Sequence, residues 1–248
     1  MGFKQRGYQR DVAIELVRDY KLFAIACEGS VREPEYFGVF EYLSKKIKVD
    51  VIEEHLNSET ESNSKSTKSS PKWVLDKAIS YISEKNLLEE DELWFVLDVD
   101  RWSIDQIREL SNFCDEHLNW NLVLSNPCFE IWLFFHKSAK IKDSKSETCK
   151  EFKFEISKFD KPGYDKLSYI KNVMTAIENS KLNDSEVNHF FPKEKESKVY
   201  LLVESLIKSC SKKDFKEFIE TTIPNLIAKR KDKIKIKKIT EINKNEII

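Results

Sequence analysis

Lys21-Leu-Phe-Ala-Ile-Ala-Cys-Glu-Gly-Ser30 is the stretch on which the reading of this chain turns. Six apolar residues follow Lys21 and stop abruptly at an acid, a glycine and a serine. A short apolar run with such a stop is the mark of a strand buried on both faces. Before it, Asp11 to Tyr20 carries Val12, Ile14, Leu16 and Val17 in a loosely helical pattern. After it, Pro34 suits the first turn of a helix, and Tyr36, Phe37, Phe40 and Leu43 form one stripe. Ile47 to Ile52 alternates and predicts a second strand. Residues 53–70 are polar and serine-rich, hence a loop. Pro71 opens a helix through Trp73, Val74, Ala78, Ile79 and Ile82. Glu92 to Leu97 (ELWFVL) predicts a third strand, Ser103 to His117 a helix, and Asn121 to Leu124 a fourth strand. A nearly all-apolar helix, CFEIWLFFH, follows, with Pro127 as its first residue and Asn126 as its N-cap. Strands alternating with helices predict an α/β fold, a parallel sheet flanked by helices.

Beyond His136 the character changes. Residues 137–165 are polar and lysine-rich with weak periodicity, and helical stretches are expected at 166–181, 197–209 and 212–228. The reading is therefore an α/β core over 1–136, including the 53–70 loop, and a mainly helical part over 137–248 with a basic tail. That part either packs on the sheet or forms a small lobe. With 248 residues, at about 150 per domain, one large domain or a core with an appendage fits.

Composition removes several functions. Lys and Arg total 42 against 43 Asp and Glu, so bulk charge points to no partner and any nucleic-acid surface must be local. The five glycines, at 2, 7, 29, 38 and 163, allow neither a GxGxxG dinucleotide loop nor a Walker A loop. The five cysteines form no CxxC pair and read as buried thiols of a reducing compartment, and the four histidines include no HExxH. The polar opening lacks the apolar core of a signal peptide. No apolar run approaches the roughly 20 residues that span a bilayer. A cytoplasmic protein without membrane contact is expected.

What is left for chemistry is mostly carboxylate. Glu28 ends the first strand, where open α/β sheets place ligands; a loop acid capping the next helix is the plainer alternative. Asp98 and Asp100 lie two apart, so in an extended backbone both face one point, and a divalent cation is their natural counter-charge; turn chemistry is the alternative. Glu130 sits on the apolar helix and needs a partner, a cation or a Lys or Arg salt bridge, because burying it alone is costly. Together these acids suggest an Mg²⁺ site acting on phosphate.

Three segments carry a family resemblance. Ile25-Ala-Cys-Glu-Gly-Ser-Val-Arg-Glu-Pro-Glu-Tyr-Phe37, Trp94-Phe-Val-Leu-Asp-Val-Asp100 and Ser125-Asn-Pro-Cys-Phe-Glu-Ile-Trp132 resemble the opening, the DxD strand and the SNPCFE segment of RloB-like proteins. Residues 164–181 and 197–204 resemble their helical C-terminal half, so the likeness covers roughly residues 10 to 210. The resemblance implies a TOPRIM-like domain, the metal-dependent fold of topoisomerases, primases and OLD-type nucleases, and an association with restriction loci and anti-phage defence. On that mapping Glu28 is the TOPRIM glutamate, Asp98 and Asp100 its metal ligands, and Glu33 the second N-terminal acid. Glu130 is an additional acid. The family usually has Thr where this chain has Arg32, which sets a cation beside the acids, to grip phosphate or to weaken a second metal site.

The expected function is a metal-dependent nuclease using Mg²⁺ or Mn²⁺, with DNA, RNA and tRNA all open as substrate. Glu28, Asp98, Asp100 and Glu33 would hold metal, Glu130 would bind metal or position water, and Arg32 would meet transition-state charge. Tyr36 keeps a tyrosine transesterification open. Lys229, Arg230, Lys231, Lys233 and Lys235 belong to a tail with seven cations and one acid over residues 229–238. That tail is either a phosphate-tracking patch or an amphipathic stretch facing the core or a partner. OLD-type nucleases carry their own ATPase; this chain has no Walker loop, so an ATPase or restriction-system protein in trans is the implied partner. The alternative is a non-catalytic nucleic-acid-binding or regulatory subunit of a defence complex, and a third possibility is chemistry on a free nucleotide.

Overall fold

The computed structural model describes residues 18–52, 71–85, 87–100, 102–159 and 164–232. The apolar runs become strands: β1 (Lys21–Cys27), β2 (Ile47–Val51), β3 (Glu92–Asp98) and β4 (Trp120–Asn126). They pair in parallel in the order β2-β1-β3-β4, and a two-residue antiparallel strand, β5 (Glu196–Ser197), closes the β4 edge. The helices between them are α1 (Arg32–Phe37), continued as a 3₁₀ turn over Gly38–Tyr42, α2 (Pro71–Glu84), α3 (Ile104–Asp115) and α4 (Glu130–Phe135). The expected α/β class and parallel sheet are what the fold shows. The 53–70 loop and the start of the Asp11–Tyr20 pattern lie outside the described residues.

Alternation along the strands sorts the core into two layers. Phe23, Ile25, Cys27, Trp94 and Val96 face α1, α4 and the C-terminal helices. Ala24, Ala26, Leu93, Phe95 and Leu97 face α2 and α3. The C-terminal helices are α5 (Cys149–Phe159), α6 (Lys166–Lys171), α7 (Val173–Asn183), α8 (Val199–Lys208) and α9 (Lys212–Glu217), the last running through a π turn at Phe218–Thr222 into helix over 223–232. Of the two placements left open by the sequence, they pack on the sheet: Phe152, Tyr169, Val173, Val203 and Leu206 share one core with β1, α1 and α4. Lys198, 1% exposed, donates to Asp184 Oδ2 at 2.6 Å, and Tyr200 Oη donates to the same oxygen at 2.7 Å.

Three local expectations need correction. Asn126 does not cap α4; it ends β4, its amide donates to the Pro192 carbonyl at 3.1 Å, and the Asn126–Pro127 peptide is cis. The helix begins three residues later, which puts Glu130 in its first turn. Within the weakly periodic 137–165 stretch, Cys149–Phe159 form α5. The 197–209 stretch divides, because residues 196–197 are taken up by the β4 edge and only Val199 onward is helical. Among the described residues, no helix is long and apolar enough to cross a membrane. All five cysteines are free thiols, and Cys27, Cys114 and Cys128 are buried.

Candidate active site

In a parallel sheet all strands end on the same side, so the acids that terminate β1 and β3 meet at one edge. Glu28 leaves β1 with its N–H still bonded to the Val96 carbonyl at 3.0 Å, and its side chain turns across to β3. There Oε2 accepts from the Asp98 N–H at 3.0 Å and Oε1 from the Trp102 indole at 3.1 Å. Asp98 shares the parity of Trp94 and Val96 and therefore faces α4, where Oδ1 accepts from the Phe129 N–H at 2.8 Å. Asp100 is exposed, and its Oδ2 accepts from Cys149 Sγ at 3.2 Å.

Glu33, from the first turn of α1, lays its carboxylate against Gly29, in the space a Cβ at that position would occupy. Glu130 is 2% exposed and forms an ion pair with Arg32 Nη1. Of the partners the sequence left open for Glu130, the structure thus supplies a salt bridge, and the guanidinium also lies over the Tyr164 ring, 6.0 Å from its centroid. Glu28, Arg32, Glu33, Asp98, Asp100 and Glu130 line a single cleft of about 390 Å³, together with Lys153 of α5.

Crowding of acids shows in their protonation. Burial raises the Glu28 carboxyl to about 7 against the opposing pull of its two donors, and Asp100 and Glu33 push it further up. Asp98 is held well above the usual carboxylate range by desolvation first and then by Glu33, Glu28 and Glu130. Glu33 moves up through burial and the Glu130 charge, with Lys153 and Arg32 opposing. Each carboxylate makes its neighbours harder to ionise, and a divalent cation is the counter-charge that reverses this.

The donor set of Glu28, Glu33, Asp98 and Asp100 is all oxygen and suits a hard cation such as Mg²⁺ or Mn²⁺ in its chemistry. Among the described residues, no three His, Cys, Asp or Glu side chains converge as a metal-binding group. Glu28 and Asp98 are instead turned toward N–H donors of the protein.

Several predicted residues lie elsewhere. Tyr36 is fully buried and hydrogen-bonded to His136 Nε2 at 3.0 Å, which removes it as a transesterification nucleophile. His136 is itself buried and kept neutral, its pKa lowered to about 3 by desolvation. Lys229, Arg230 and Lys231 end the last helix and do not line the cleft; Arg230 pairs with Asp165 at 2.6 Å. Lys233 and Lys235 are outside the described residues. Conversely, Trp102, Cys149 and Lys153 reach the site unannounced. Trp102 is 74 residues from Glu28, and no spacing links them. Lys153 and Cys149 ride on α5, whose Phe152, Phe154 and Ile156 alternate as a strand would.

Fold and site together define an α/β protein with an acidic cleft at the carboxyl edge of a parallel sheet. Residues 23–206 match the family model described as RloB-like protein, and the chain belongs to that family. No curated protein and no solved structure shows a significant match to it.

Proposed function

We propose that this chain is a metal-dependent nuclease, hydrolysing phosphodiester bonds of DNA or RNA on a TOPRIM-like sheet, in anti-phage defence alongside a restriction-system or ATPase partner. The observation that carries this reading is the gathering of Glu28, Glu33, Asp98 and Asp100 in one solvent-open cleft with the cations Arg32 and Lys153. Glu28, Asp98 and Asp100, with Glu33 beside them, would hold Mg²⁺ or Mn²⁺. Such an ion, when bound, polarises a phosphoryl oxygen and acidifies a water.

The chain's own residues do the rest. Glu28, titrating near pH 7, must give up its proton to serve as a ligand, so metal affinity rises with pH. Glu130 holds the Arg32 guanidinium at the cleft wall, where its remaining N–H groups can meet a phosphate oxygen. Lys153 supplies a second cation from the opposite element. With Tyr36 buried, attack by water needs no covalent protein intermediate.

One observation favours the alternative, a nucleic-acid-binding or regulatory subunit: both Glu28 oxygens and Asp98 Oδ1 already accept hydrogen bonds within the protein. In that reading the acids hold the sheet edge together. The readings separate on incubation of end-labelled plasmid, single-stranded DNA, total RNA and tRNA with Mg²⁺ or Mn²⁺. Wild type should cut at least one pool, while Glu28→Ala and Asp98→Ala/Asp100→Ala should lose about a hundredfold or more, as when transition-state charge stabilisation is removed, and keep the circular dichroism of the wild type. Absence of cleavage together with tight metal-independent binding would establish the subunit reading.

A further inference from the structure

α5 presents a face that neither the core nor the acidic cleft uses. Phe152 and Ile156 point inward and are buried. Cys149 and Lys153 turn to the cleft. On the outer face stand Lys150, Phe154 and Lys158, each four residues from the next and so stacked along one side of the helix. Phe154 is 64% exposed and takes no part in the core. Lys158 Nζ lies 4.4 Å from its ring centroid.

This face borders a groove of about 760 Å³, walled on its other side by the 144–148 segment with Lys145. The acids in the groove are committed to the protein. Glu155 Oε2 accepts from Ser144 Oγ at 2.6 Å and Ser146 Oγ at 2.8 Å. Glu151 Oε2 accepts from the Glu147 and Thr148 N–H groups at 2.9 and 3.0 Å. Lys145, Lys150 and Lys158 have no ion-pair partner among the described residues. The groove lining thus sets three lysines against two carboxylates, a small positive excess around an exposed aromatic ring, and at 1.5 Å per residue Lys150 and Lys158 are about 12 Å apart along the helix.

We propose that this groove is a track for single-stranded nucleic acid, with a base stacked on Phe154, phosphates on Lys150 and Lys158, and the strand passing Lys153 into the acidic cleft. Cations alone would suit any polyanion. The solvent-facing phenyl ring selects a ligand with a free π-face, which an unpaired base has and a duplex hides. The last step, entry into the cleft, rests on the nuclease reading; the track itself does not.

The test is fluorescence anisotropy of the full chain with labelled oligo-dT and oligo-U of about 12 nucleotides, within the site size of single-strand binders, and with a duplex of the same length, all in EDTA. The expected result is preference for the single strands, about tenfold weaker binding by Phe154→Ala, and retention by Phe154→Trp. Lys150→Gln/Lys158→Gln should lower the slope of log affinity against log salt by about 1.4, two phosphate contacts at about 0.7 each. The DNA and RNA arms report which strand is preferred. Equal binding of the duplex, displacement by polyglutamate as effective as by oligonucleotide, or wild-type affinity in folded Phe154→Ala would each overturn the track. A chain that binds strands through Phe154 and cuts nothing in Mg²⁺ refutes the nuclease reading and leaves the track standing. A chain that cuts while Phe154→Ala binds as wild type refutes the track alone.

Discussion

Glu28 costs the folded protein stability whenever it is ionised, because its carboxyl titrates at about 7 in the fold against 4.5 ordinarily. Below pH 4.5 both folded and unfolded states carry the proton and the penalty is absent. As pH rises from about 4.5 to about 7 the unfolded state ionises first, so stability falls and stays low above that window. Discounted for partial solvation, the loss is on the order of 2 kcal/mol. In EDTA, Glu28→Gln should therefore be more stable than wild type by about that amount at pH 8 and nearly equal at pH 4.5, read from urea unfolding at both pH values. Adding Mg²⁺ at pH 8 should raise wild type and not the variant; by linkage, a concentration a hundredfold above Kd contributes about 2.7 kcal/mol. The Arg32–Glu130 pair makes a second prediction. Arg32→Met leaves a buried carboxylate uncompensated and should cost about 2–3 kcal/mol, less than a fully buried pair because Arg32 is partly exposed. Arg32→Met/Glu130→Gln should recover most of that, a coupling that a double-mutant cycle measures. The residue types at this site were legible in the sequence because carboxylates at strand ends are few. Their hydrogen bonds were not, since Trp102 and the Phe129 N–H are brought in by folding and by no motif.

At the scale of elements, the strands and α2, α3 were readable because their local and tertiary preferences agree. α3 is the clearest: Ser103 accepts from the Gln106 N–H at 3.3 Å and Gln106 Oε1 accepts from the Ser103 N–H at 3.0 Å, a capping box written in four residues. Ser103→Ala should cost about 1 kcal/mol in urea unfolding. Where local signal and tertiary demand disagree, the sequence pattern misleads. α5 alternates in sequence as a strand, yet only Phe152 and Ile156 find the core, and Phe154 is left in solvent. At the start of α4, Asn126 and Pro127 form a good helix opening on paper, but Asn126 is held by β4 and the Pro192 carbonyl, so the helix starts at Glu130.

For the whole molecule, the C-terminal half is a structural partner of the sheet and not an appendage. The α4 side chains Trp132 and Phe135 are fully buried in a core completed by α5 to α8. Lys198 ties that half down: its N–H donates to the Leu124 carbonyl of β4 at 2.8 Å, and its ammonium is buried against Asp184 and the Glu186 carbonyl. Lys198→Met strands Asp184 without a counter-charge and should cost about 3–5 kcal/mol, a large share of the roughly 5–15 kcal/mol of a typical domain. Lys198→Met/Asp184→Asn should regain a substantial part, as chemical denaturation of the two variants would show. If Lys198→Met unfolds at the wild-type midpoint, the buried pair does not hold the halves together.

The sequence by itself determined the α/β class, the four parallel strands and the acids at their ends, because strand burial and strand termination are local properties that composition and periodicity record. It also carried the family, through three short segments in order. Only the tertiary structure decided that Glu28 reaches across to β3, that Arg32 is occupied by Glu130, and that α5 delivers Lys153 to the cleft while leaving Phe154 outside. Those are long-range pairings between segments 49 to 98 residues apart, set by the order of strands in the sheet and the helices packed on it, and no local pattern encodes them.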